Sequence, residues 1–263
     1  MNPASLSAAL DTLFPPGAVA ADLRGPGNPG LLLPAEAQCV GRAVPKRVRE
    51  FAAGRLCARR VLAEFGIADF PIRVADDRQP IWPDPFVGSI THTDGYAAAV
   101  VAERLRMRAL GIDSEIVGQV KVPLWAAICT QSEIAWLRSL PASERAAAAT
   151  VIFSAKEAFY KCQFPLTRER LNFLDAVVET AARPGSAGTF SIRSTRRIAF
   201  EDHAAMPLQG RYLFGVDEVT AGIAIPVVAG RDPAHADQTR ADTAHADQAR
   251  ADQARADQAR ADQ

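Results

Sequence analysis

Apolar positions along the chain follow two periods, and the switches between them divide it. The first fifty residues are broken by Pro15-Pro16-Gly17, Gly25-Pro26-Gly27 and Pro29-Gly30, which predicts irregular chain with a short strand over Ala18 to Leu23. From Pro45 the spacing turns helical. Val48, Phe51, Ala52, Leu56, Cys57, Val61 and Phe65 share a side, and Gly66 closes the run. Proline suits the first turn of such a helix, where its missing N–H would have no partner anyway. Tyr96 to Ala102 is apolar at almost every position, the pattern of a buried strand. Arg104-Leu105-Arg106-Met107 then predicts a hairpin turn back into a strand over Arg108 to Ser114.

After Gly118 the helical period returns over Leu124 to Cys129, Ser132 to Leu140 and Ser143 to about Phe164, with Ser132 placed to cap the second. From Leu171 the pattern is that of strands: Leu171 to Val178, Phe190 to Arg193, Arg211 to Val216 and Gly222 to Val228. The chain therefore reads as α+β twice over, residues 1–117 and then 118–229. Residues 230–263 repeat Ala-Asp-Gln-Ala-Arg. A five-residue period advances about 140° per repeat on a helix and builds no continuous face, so a disordered or weakly helical appendage is expected.

Composition narrows the partners. The 263 residues are 48% apolar, enough for a real core, and carry no formal net charge. Neither a global field toward polyanions nor a basic stripe interleaved with aromatics is present, so no nucleic acid and no membrane partner is expected. No lysine or arginine precedes Arg24, and no run of about 18 apolar residues occurs. A soluble cytoplasmic protein is the expectation. Cys39, Cys57, Cys129 and Cys162 show no CxxC or zinc spacing and read as buried reduced thiols.

The first candidate for chemistry is Leu110-Gly111-Ile112-Asp113-Ser114-Glu115. On a strand, Asp113 and Glu115 point to the same face, where two carboxylates repel unless a cation lies between them. Oxygen ligands favour a hard ion, Mg2+ before Zn2+. Alone, the pair reads first as a solvated strand end, and other segments are needed to favour a cation. Three further segments carry chemistry-bearing side chains. Arg47, Arg55 and Arg59 lie on the polar face of the helix from Pro45. Ser89 and His92 lie in Gly88-Ser89-Ile90-Thr91-His92. Lys156, Glu157 and Lys161 lie in Phe153-Ser154-Ala155-Lys156-Glu157-Ala158-Phe159-Tyr160-Lys161. Each has a structural alternative, such as a capping box for Ser154-x-x-Glu157 or an ordinary i,i+4 pair for Glu157 and Lys161.

Taken in order, these segments, with Phe51-Ala52-Ala53-Gly54-Arg55-Leu56-Cys57-Ala58-Arg59 and Arg78-Gln79-Pro80-Ile81-Trp82-Pro83, resemble the 4'-phosphopantetheinyl transferase superfamily, in its larger type related to enterobactin synthase component D. The resemblance spans about Leu13 to Val228. Thr91 stands where that family often has serine, and Ser114 where an apolar residue is common. The resemblance implies a monomeric pseudo-dimer of two similar α+β halves with the active site in the cleft between them. It implies transfer of the phosphopantetheine arm of coenzyme A to a serine of an apo acyl or peptidyl carrier protein, with Mg2+ as cofactor. It further implies Asp113, Glu115 and Glu157 as metal ligands, and Glu157, Lys156 and Lys161 as catalytic groups. Arg47, Arg55, Arg78, Ser89, His92, Lys156 and Lys161 would contact the coenzyme. An idle coenzyme-binding homologue and an unrelated Mg2+-dependent phosphohydrolase are the rival readings, and the second would need only Asp113 and Glu115.

Overall fold

The computed structural model describes residues 5–180, 186–198 and 207–227. Strands β1 (Ser5–Leu6), β2 (Ala18–Arg24), β3 (Phe86–Thr93) and β4 (Tyr96–Glu103) form one antiparallel sheet in the order β1-β2-β4-β3. Strands β5 (Met107–Ile116), β6 (Ala176–Thr180), β7 (Ala187–Ser194), β8 (Leu208–Phe214) and β9 (Glu218–Pro226) form a second, in the order β5-β9-β8-β7-β6. Short helices α1 (Ala8–Asp11) and α2 (Pro34–Gln38) precede the long α3 (Pro45–Glu64), which packs on the first sheet. Helices α4 (Trp125–Ile128), α5 (Gln131–Ser139) and the long α6 (Ala142–Thr167) pack on the second. The fold is mixed α+β in two halves, each a long helix over an antiparallel sheet.

The hairpin expected at Arg104 to Met107 does not form. β4 pairs with β2 and β3, whereas β5 crosses to the second sheet and pairs with β9. The tight hairpin instead joins β3 to β4, with Thr93 opposite Tyr96. The two sheets thus divide between β4 and β5, ahead of the boundary expected at 117/118. The repeat at 230–263 lies outside the described residues.

The apolar run of β4 is explained by burial on both faces. Ala97, Ala99 and Val101 point into the core under α3, while Tyr96, Ala98, Val100 and Ala102 pack with Leu110 and Ile112 of β5. This second face ties the halves together. Arg24 adds an ion pair across them, its Nη2 2.5 Å from Glu218 Oε1.

Close approach of α6 to β5 depends on Gly111. A Cβ there would lie 1.9 Å from the carbonyl oxygen of Ala158, so the helix could not keep its distance. We expect Gly111→Ala to destabilise the fold by about 2 kcal/mol or more, read by urea unfolding, because backbone rather than a flexible side chain must yield. It also displaces the segment carrying Glu157 and Lys161.

Candidate active site

Strands β3 and β5 run side by side across the junction of the halves, and side-chain hydroxyls hold the seam. The N–H of Ile112 donates to Ser89 Oγ at 3.2 Å, and the N–H of Ser114 donates to Thr91 Oγ1 at 2.9 Å. Ser154, inside α6 rather than capping it, donates its Oγ–H to the carbonyl of Asp113 at 2.9 Å. The seam floors a cleft of about 1130 Å³ walled by α3 on one side and α6 on the other. Arg47, Arg55, Arg78, Ser89, His92, Asp113, Glu115, Glu157 and Lys161 all line it.

The carboxylates gather at one end. Lys161, one turn beyond Glu157 on α6, donates to Asp113 Oδ1 at 2.7 Å and to the Ile112 carbonyl at 3.2 Å. Asp113 Oδ2 is buried with no hydrogen-bond partner among the described residues. Burial first, then the charge of Asp113, pushes Glu115 up to about 7; Lys161 offsets part of this and Glu157 adds to it. Burial and then Asp113 also raise Glu157 above the ordinary carboxylate range. Three acids therefore face one another electrostatically, and one oxygen lacks a partner. Among the described residues, no three His, Cys, Asp or Glu side chains stand close enough to enclose a metal by themselves. Mg2+ does not require that, since it keeps waters and accepts substrate phosphates beside one or two carboxylates. The donor set fits such an ion.

The opposite wall is cationic. Arg55 is buried, with its guanidinium carbon 3.9 Å above the Phe51 ring and its Nε donating to the Ile72 carbonyl at 2.8 Å. No carboxylate pairs with it among the described residues, and burial pushes it down to about 10. The charge of Glu36 offsets only part of this burial, so an arriving anion would stabilise the guanidinium further. Arg47 Nη1 lies 2.5 Å from His92 Nε2. Since arginine only donates, His92 accepts there and carries its proton on Nδ1, toward Glu50. Burial, then Arg47, holds His92 down at about 4, so it is neutral at physiological pH. Arg78, exposed and with φ of +73°, sits in the turn between Val74 and Pro80 at the cleft edge.

Gly54 lets this wall form. A Cβ there would meet an Ile90 methyl at 2.7 Å, so the glycine allows α3 to press on β3 while lining the cleft beside Arg55.

Lys156 is not in the cleft, which corrects its expected place among the catalytic and coenzyme-contacting groups. Its ammonium is buried and donates three hydrogen bonds: to Glu133 Oε2 at 2.7 Å, and to the carbonyls of Ile128 and Phe173 at 2.9 Å each. All its donors are used. The reason lies in the helix period, because Lys156 shares the buried stripe of Ile152 and Phe159 while Glu157 and Lys161 turn toward the cleft. Glu133, unmarked in the sequence reading, also accepts from the N–H of Thr130 and of Val178. Thr130, not Ser132, caps α5. Arg59 likewise leaves the arginine face. It pairs with Glu36, fully buried in α2, which also accepts the N–H of Ile72 at 3.1 Å. Of the cysteines, Cys57, Cys129 and Cys162 are buried and free, whereas Cys39 is exposed. No helix among the described residues is long and apolar enough to cross a membrane.

The two halves thus meet over one cleft with acids on one side and arginines on the other. Comparison with known proteins gives the family. The 4'-phosphopantetheinyl transferase N-terminal domain matches residues 35–102, and the 4'-phosphopantetheinyl transferase superfamily matches residues 109–216, so the two matches meet where the sheets divide. The chain is 38% identical over 216 residues to 4'-phosphopantetheinyl transferase Svp of Streptomyces mobaraensis, covering 78% of this chain and 83% of that one. It is 36% identical over 185 residues to 4'-phosphopantetheinyl transferase Npt of Nocardia iowensis, covering 69% and 82%. Enterobactin synthase component D of Salmonella typhi is 35% identical over 117 residues, covering 44% and 48%. The chain belongs to the 4'-phosphopantetheinyl transferase superfamily and is an enzyme of that class.

Proposed function

We propose that the cleft binds coenzyme A and Mg2+ and transfers the 4'-phosphopantetheine arm to a serine of an apo carrier protein, releasing adenosine 3',5'-bisphosphate. The observation that carries this is the facing of three mutually repelling carboxylates and a buried arginine, with no ion-pair partner among the described residues, across one cleft. One chain supplies both walls, which supports a monomer as the working unit.

Asp113, Glu115 and Glu157 would hold Mg2+ partly through the ion's own waters, and Asp113 Oδ2 would gain a partner. When bound, the ion neutralises pyrophosphate oxygens as a Lewis acid. Glu157 takes the proton from the carrier serine. A carboxylate is a weak base for a hydroxyl, so alignment with the serine and partial proton transfer in the transition state must contribute. The serine Oγ–phosphorus bond forms as the phosphorus–oxygen bond to the adenosine bisphosphate breaks. Lys161 has one donor left after Ile112 and Asp113, and it stabilises charge on a phosphate oxygen. Arg47, Arg55 and Arg78 bind the nucleotide phosphates. His92, being neutral, serves mainly by orienting Arg47. The Ser89 hydroxyl accepts the N–H of Ile112 and fixes the floor.

Release of adenosine 3',5'-bisphosphate tests this reading. It should depend on coenzyme A, Mg2+ and an apo carrier, and it should stop with a chelator or with a carrier whose acceptor serine is alanine. Steady release without any carrier would instead favour a phosphohydrolase. Arg55→Lys should raise KM for coenzyme A about tenfold with little change in kcat, because an ammonium cannot reproduce the guanidinium fork or its stacking on Phe51.

A further inference from the structure

The cleft continues past the carboxylates to a second basic end, whose Arg108 and Arg170 the reaction above does not use. β3 and β5 run parallel along the seam, so its far end is reached at Val87 and Leu110, with Tyr160 and Phe164 of α6 over them. Beyond this apolar stretch the cleft is lined by Arg108 at the start of β5 and Arg170 just past α6. Neither arginine has a carboxylate partner among the described residues. Their neighbours Arg168 and Arg104 are engaged, Arg168 with Asp77 at 2.5 Å and Arg104 with Asp84 at 3.9 Å. The end is thus positively charged beyond what its own acids neutralise.

Distance relates this end to the substrate. Arg108 stands about 16 Å from Asp113 along the strand. The end of α6 at Arg168 stands about 16 Å from Glu157 along the helix axis. Extended phosphopantetheine has about thirteen bonds from phosphorus to sulfur, the length of four to five extended residues, or about 15 Å. An arm whose phosphate lies at the carboxylates, running along the apolar wall, ends its sulfur at these arginines.

We infer that Arg108 and Arg170 select the acyl group on the sulfur, and that the enzyme favours coenzyme A thioesters ending in a carboxylate. The inference rests on the proposed use of coenzyme A. The thioester takes no part in the reaction: the bonds made and broken are those at phosphorus, and the acylated arm passes intact to the serine. A carrier protein is a poorer occupant of this end, since its serine must reach the phosphorus at the other.

The test compares succinyl-coenzyme A with 4-methylpentanoyl-coenzyme A, which matches its shape but lacks the charge, using the full-length protein, Mg2+ and one apo carrier. The expected kcat/KM ratio is about tenfold in favour of succinyl, the scale of one charge-assisted contact near the surface. The Arg108→Gln/Arg170→Gln double variant should bring the ratio to one while coenzyme A itself is used at the wild-type rate, which also shows that the variant is folded. Equal use of the two thioesters by the wild type overturns the inference. So does a preference that survives the double variant. A double variant that instead raises KM for the carrier with every donor assigns these arginines to the carrier and overturns it as well. Failure of the wild type to transfer from coenzyme A itself would remove the reading beneath it, a result distinct from transfer without preference.

Discussion

Glu157→Gln is expected to lower kcat for arm transfer by about a thousandfold, within the usual range for loss of a general base. The substitution keeps the size of the side chain and removes its charge, so it also weakens Mg2+ binding at Asp113 and Glu115. Those effects separate by titrating Mg2+: a binding defect recovers at high ion concentration, whereas the missing base does not. KM for coenzyme A should change little, since Arg47, Arg55 and Arg78 are untouched. The fold should persist, because the Glu157 side chain makes no hydrogen bond among the described residues and the helix is anchored through Ser154, Lys156 and Gly111. Near-normal kcat in a folded Glu157→Gln protein would remove Glu157 from the reaction.

The second large effect falls on stability. Lys156→Met should cost about 3 to 5 kcal/mol in urea unfolding, because it strands the Glu133 carboxylate in the core with its counter-ion gone. Three elements come loose together, since Lys156 also holds the ends of α4 and the turn at Phe173. Adding Glu133→Leu should recover most of the loss, as replacing both partners of a buried pair often does. Recovery stays incomplete by about 1 kcal/mol because Glu133 also completes the cap of α5. If Lys156 touched phosphate instead, Lys156→Met would leave stability alone and raise KM for coenzyme A.

What could be read from the sequence follows what is local. Asp113 and Glu115 share a face because strand geometry makes residues two apart do so. Glu157 and Lys161 share a face because helices put residues four apart together. Both pairs needed only a period. The assignment of Lys156 needed tertiary context, although its neighbours Ile152 and Phe159 carried the warning that its face was buried. Glu36 and Glu133 had no mark at all. Each is an acid surrounded by ordinary helix residues, and only the fold shows which N–H groups and cations converge on it. The path of β5 was misread for a similar reason. A short polar turn between two apolar runs looks like a hairpin, yet the pairing edge offered by β9 lies more than a hundred residues away. The hydroxyl of Ser89 is expected from the sequence to contact ligand, whereas in the fold it and Thr91 close the seam between halves.

That seam returns to the account's central claim, that carboxylates from β5 and α6 act on coenzyme A in one cleft. The most direct measurement is the intact mass of an apo carrier protein incubated with this protein, coenzyme A and Mg2+. The account predicts a gain equal to one phosphopantetheine arm per carrier, located on its acceptor serine, and no gain when Asp113→Ala replaces the wild type. A carrier that stays unmodified with the wild type, across peptidyl and acyl carriers alike, would contradict it, as would full modification by the Asp113→Ala protein.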